Sequence, residues 1–104
     1  MLLPAIRQGL KDSNPFVRRE AARATSAFGA AAKEALPELI LLIKNYPMQD
    51  SGWFAAEALG EIGPDAREAI PELVRAAEVR GSMMADSAKK ALKKIKIKSD
   101  KEMD

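Results

Sequence analysis

The chain has 104 residues, 47% hydrophobic and 31% charged, which bounds it to one ordinary domain with a modest core. Cysteine and histidine are both absent, which excludes a disulfide framework, a thiol nucleophile, an imidazole base and a Cys/His metal cage. With 17 Lys plus Arg against 15 Asp plus Glu, the net charge of +2 is too small to imply nucleic acid by itself.

The first unit covers residues 1–29. Leu2, Leu3, Ala5, Ile6, Gly9 and Leu10 give its opening helix a broad apolar face with no polar cap before it. Asp12, Ser13, Asn14 and Pro15 then break the chain. A second helix carries Ala21, Ala24, Thr25 and Phe28 at the i, i+3, i+4, i+7 spacing of one helix face. Gly29 falls just after it, where a left-handed cap is usual.

The second unit, residues 30–63, holds the stretch around which the chain reads as organised. Leu36–Asn45 is apolar at 36, 39, 40, 41, 42 and 43, so as a helix it is greasy around most of its circumference and must be covered on several sides. Helical character begins before Pro37, which removes one backbone bond, so the helix is expected to kink or restart there. Residues 46–52 are a break, Ala55, Ala58, Leu59 and Ile62 repeat the buried face, and Gly63 repeats the cap.

The third unit, residues 64–98, opens on Pro64 and Asp65, which suit the first turn and positive end of a helix. Its Ile70-Pro71 follows Leu3-Pro4 and Leu36-Pro37 at spacings of 33 and 34 residues. After a break at 80–82, Ala88, Ala91, Leu92 and Ile95 form one apolar stripe, and Lys89, Lys90, Lys93, Lys94, Lys96 and Lys98 occupy the rest. Residues 99–104 are polar and aperiodic and are expected to fray beyond a single repeat domain of residues 1–98.

Three such units, each a helix, a connection and a second helix, predict an all-α solenoid of three helix pairs, about six helices. The run D-x-x-P-x-V-R-x-x-A-A at residues 12–22, followed by A-A-E-A-L-G-E-I-G-P-D-A-R-E-A-I-P-E-L at 55–73, resembles HEAT repeats. The short HEAT-like type also found in phycobilisome lyases is the nearest variety. The resemblance covers nearly the whole chain, to about Lys98, and implies an armadillo-like, right-handed superhelix used mostly as a non-enzymatic protein-binding scaffold. It also implies a ladder of hydrogen bonds between an Asp of each connection and an Arg opening each second helix. Asp12 and Arg18 match that pattern, whereas the second unit has Gly52 at the arginine position.

In HEAT-like arrays the second helices line the concave side. Register then places Arg19, Trp53 and Asp86 in one row and Arg23, Glu57 and Lys90 in the next, a candidate partner-binding surface. Trp53, the only tryptophan, has two readings: a contact residue of the hot-spot type, or a filler of space left by the small Ser51 and Gly52. Lys89, Lys93, Lys94 and Lys96 form a candidate anion-binding face, or simply a solvated end of the stack. Leu2, Ile6 and Leu10 are a candidate self-association face. Either a second copy makes a homodimer there, or the chain is a fragment of a longer protein.

Catalysis is not expected. Glu57 and Glu61 lie one turn apart, but paired carboxylates do acid–base work only in a cleft that shifts their acidity. No cofactor or metal is expected, nucleic acid is disfavoured, and no apolar run approaches the roughly 18–20 residues that span a bilayer. The expectation is a cytoplasmic scaffold for a protein partner.

Overall fold

Local chemistry punctuates the chain where the sequence suggests. In the computed structural model, which describes residues 3–46, 49–79 and 83–103, with side chains of the last helix described for residues 84–96, α1 is Leu3–Leu10 and α2 is Pro15–Ala27. Asn14 caps α2: its side-chain oxygen accepts the Phe16 backbone N–H at 2.8 Å, and Pro15 occupies the first turn, where no N–H is needed. Asp12 steadies the cap by accepting the Asn14 N–H at 2.8 Å.

Gly29 (φ 56°) and Gly63 (φ 81°) both take left-handed backbone at the helix ends. Each leads into a 3-10 segment, Gly29–Ala35 or Gly63–Ala69, after which an α-helix restarts: α3 at Leu36–Asn45 and α5 at Ile70–Ala77. Pro37 and Pro71 stand in the first turns of these restarted helices. The prolines therefore set helix starts and cost no interior hydrogen bond. The second helices of units two and three are α4, Asp50–Ile62, and α6, Met83–Met103. Among the described residues there is no strand.

The Cα atoms fill a slab 42 × 35 × 17 Å, the depth of two helix layers packed at 8–10 Å. α4 packs mainly against α2, α6 and α3, and α6 also covers α5. The Ala21, Ala55 and Ala88 set lies buried between the layers, with Thr25, Leu59 and Ile95 fully enclosed. The Thr25 hydroxyl donates to the Ala21 carbonyl at 2.7 Å, so its burial leaves no polar group unmet.

The structure departs from several expectations. The most enclosed helix is α4 and not α3. Eight of the 13 residues of α4 are buried (Ser51, Gly52, Ala55, Ala56, Ala58, Leu59, Gly60 and Ile62), whereas Leu41 of α3 is 48% exposed. Leu36, Leu39, Leu42 and Ile43 do enter the core, and Ile40 packs against it.

The face expected to be open for self-association is covered by the chain itself at Leu10 and in part at Ile6. Leu10 is only 3% exposed beside Leu42 and Arg18, and Ile6 packs on the core; Leu2 lies outside the described residues. The space left by Gly52 is filled by Met84 and the Tyr46 carbonyl, since a Cβ at 52 would stand 2.9 Å from both the Met84 sulfur and that oxygen. The backbone of α6 also continues as helix past Lys98 to Met103, with no glycine or proline to stop it.

The polar ladder also takes another form. Arg18, 4% exposed, does not reach the Asp12 carboxylate. Its Nη1 donates to the Asp12 and Ser13 carbonyls at 2.9 Å each, and its Nη2 to Gln49 Oε1 at 3.0 Å. The guanidinium carbon lies 3.8 Å from the Tyr46 ring centroid. One arginine thus ties the first connection to the second unit, and Gln49 and Tyr46 supply what a second Asp–Arg rung would have supplied.

On the opposite layer, Arg7 of α1 makes a two-pronged bond to Glu38 of α3 at 2.9 and 3.2 Å. That hydrogen bond, and secondly the carboxylate's charge, raise the Arg7 pKa above its already high ordinary value. A raised pKa adds stability present below the unfolded value and lost only as pH climbs through the folded one, so the guanidinium stays charged at every ordinary pH. Arg18→Ala is expected to cost about 2–3 kcal/mol and to lower Tm by roughly 10 °C or more. Arg18→Lys, which keeps the charge but not the fork, should recover only part of this in thermal melts followed by circular dichroism.

Candidate concave binding surface

The side of α4 that is not buried decides what the surface can do. Small residues face α2 and α6, which leaves Trp53, Glu57 and Glu61 along its free stripe. Spacings of four residues place Glu57 and Glu61 one above the other. On α6 the same spacing carries Lys90 and Lys94.

Between the two helices runs a groove of ≈ 240 Å³, lined by Trp53, Glu57, Gly60, Glu61, Ser87, Lys90, Ala91 and Lys94. Gly60 lets α6 come close, since a Cβ there would lie 3.1 Å from the Ala91 Cα. Lys94 Nζ donates to Glu61 Oε1 across one end of the groove. Both side chains are close to half exposed, so the pair adds only ~0–1 kcal/mol of stability. Glu57 accepts the Ser26 hydroxyl of α2 at 2.9 Å.

Of the six residues read from register as the concave surface, the groove unites three: Trp53, Glu57 and Lys90. Arg19 lies in a different, shallower recess with Pro15, Phe16, Gln49, Asp50 and Ser51. Its guanidinium sits 5.0 Å from the centroid of the Phe16 ring, which is 61% exposed, and its Nε donates to Glu20 at 3.2 Å. Arg23 faces solvent, 3.9 Å from Glu20, and Asp86 is exposed; neither lines the groove or the recess.

Trp53 stacks on Phe54 with ring centroids 5.2 Å apart and planes at 17°. Phe54 packs against the core, whereas Trp53 is half-buried and outside that cluster. Of the lysines read as an anion-binding face, Lys94 belongs to the groove, and Lys89, Lys93 and Lys96 are exposed on α6. Lys89 has a telling register: its counterparts Ala22 and Ala56 are fully buried.

Sequence reasoning left Gly60, Glu61, Ser87 and Ala91 out of the site. A signal for Glu61 was present, because Glu57 with Lys90 and Glu61 with Lys94 are both 33 positions apart, the length of one unit. Nothing comparable marks Ser87. Among the described residues, no group of three or more acidic side chains could hold a metal ion, and no helix is long and apolar enough to cross a membrane.

A family model described as HEAT repeat matches residues 2–32, the first helix pair and the start of the 3-10 segment after it. Comparison with curated proteins and with solved structures gave no match. The half-exposed Trp53 sets a clear expectation. Trp53→Ala should cost less than about 1.5 kcal/mol in denaturant unfolding, against ~3–5 for a buried tryptophan. As the only tryptophan, its fluorescence should be quenched by acrylamide in the folded protein.

Proposed function

From the premise that this chain is a HEAT-like repeat protein, a helical repeat fold of the protein-interaction type, we propose that it is a non-enzymatic scaffold binding a protein partner on its second-helix face. The observation that carries the reading is the placement of Trp53. A large ring is held half-buried at a groove, outside the core against which its neighbour Phe54 packs. Aromatic anchors ringed by charged groups are what binding hot spots are made of, where truncation costs ~2 kcal/mol or more.

The mechanism is rigid display. α2, α4 and α6 are fixed by a continuous core and by the Arg18 tie, so the surface loses little freedom when a partner docks. The carboxylates lend support to binding over chemistry. Glu57 is engaged by Ser26 and Glu61 by Lys94, in an open groove.

A second reading uses Lys89, Lys93 and Lys96, which stand exposed on α6, as a face for an anionic surface such as nucleic acid or an acidic protein. Self-association through Leu2, Ile6 and Leu10 is not carried forward, because Leu10 is buried and Ile6 packs on the core. Affinity capture from the native source, read by mass spectrometry for wild type and Trp53→Ala side by side, tests the first reading. It expects proteins retained by wild type and lost at least tenfold in the variant; identical captures would overturn it. For the second reading, binding to duplex DNA should weaken by about one log unit per log of salt for each phosphate contact. A flat salt response, or no binding, would dismiss it.

A further inference from the structure

The groove beside Trp53 has one wall of each sign. Glu57 and Glu61 rise from α4, and Lys90 and Lys94 rise from α6. At one end Lys94 bonds Glu61 and the two charges cancel. The other end, bordered by Trp53 and Ser87, keeps Glu57 and Lys90. Glu57 has only the neutral Ser26 hydroxyl as partner, and Lys90 makes no ion pair among the described residues.

Size narrows the occupant further. At ≈ 240 Å³ the groove is below the ~300 Å³ at which small-molecule sites begin. Its floor cannot deepen, because Gly60 and Ala91 already bring the two backbones close together. The space is that of a protruding side chain with its neighbours, seated on a ring and flanked by opposite charges. A polyanion or a polycation would meet one favourable wall and one repulsive wall.

We propose that this groove docks a peptide segment in which an apolar residue is flanked by one basic and one acidic residue. The apolar side chain covers Trp53, the basic one turns to Glu57 on the α4 wall, and the acidic one turns to Lys90 on the α6 wall. This deepens the protein-binding reading and rests on it.

The test is selection of a random peptide library displayed on phage against the intact chain, followed by titration of the synthesised binders. Trp53 fluorescence is the readout for wild type, and fluorescence anisotropy of labelled peptide serves Trp53→Ala, Glu57→Gln, Lys90→Gln and Glu57→Lys. All these side chains are at least partly exposed, and circular dichroism of each variant verifies that it folds. The expected result is an enriched pattern of one apolar residue with both charge signs. Its affinity should fall about threefold to tenfold in Glu57→Gln and in Lys90→Gln, and by more in Trp53→Ala. Glu57→Lys, which makes both walls basic, should shift preference to peptides carrying acidic residues alone.

Binders that need Trp53 but carry a single sign of charge, or ignore Glu57 and Lys90, would overturn this inference and leave the protein-binding reading standing. A library that yields no Trp53-dependent binder would overturn both.

Discussion

The structure depends on how closely α4 can be approached. Six of its eight buried residues are glycine, alanine or serine, and where two of them are glycine the neighbours are already in contact: Tyr46 and Met84 over Gly52, Ala91 over Gly60. Close approach multiplies dispersion contacts per unit length of helix, which compensates for a core with few large side chains. It also leaves α4 one free stripe, and Trp53, Glu57 and Glu61 are what that stripe carries. The candidate binding surface is the remainder of the packing solution.

Closeness explains what hydropathy misjudged. Leu36–Asn45 looks central because leucine and isoleucine dominate any count of apolar character, yet it belongs to the outer layer and leaves Leu41 in solvent. α4 looks weaker because alanine and glycine score low, although these are the residues that let a helix be surrounded. Punctuation was far more legible. Asn14-Pro15, Gly29, Pro37, Gly63 and Pro71 each fix φ, permit a positive φ or satisfy a terminal N–H locally, so their effect is written in a few adjacent residues. Arg18 was read as a rung facing Asp12, but its partners are two carbonyls, an amide 31 positions on and a ring 28 positions on. No local pattern encodes that choice. Leu10 failed for the same reason, since its cover comes from other helices.

The candidate site was half legible. Register put Trp53, Glu57 and Lys90 together because a repeat of fixed length brings equivalent positions side by side. Register could not say that Arg19 would turn to Phe16 and Glu20, or that Arg23 would stay in solvent, because long cationic side chains choose among several neighbours of similar energy.

Charge on α6 is best understood as two populations on one helix. Lys90 and Lys94 stand opposite carboxylates one unit earlier, so the charges lining the groove are balanced. Lys89 occupies the position at which the preceding pairs bury Ala22 and Ala56. Burying an ammonium without an acidic partner is costly where alanine would gain contact, so Lys89 meets solvent at a register that its counterparts fill with alanine, while Lys90 and Lys94, on the adjoining face of α6, answer the carboxylates of α4.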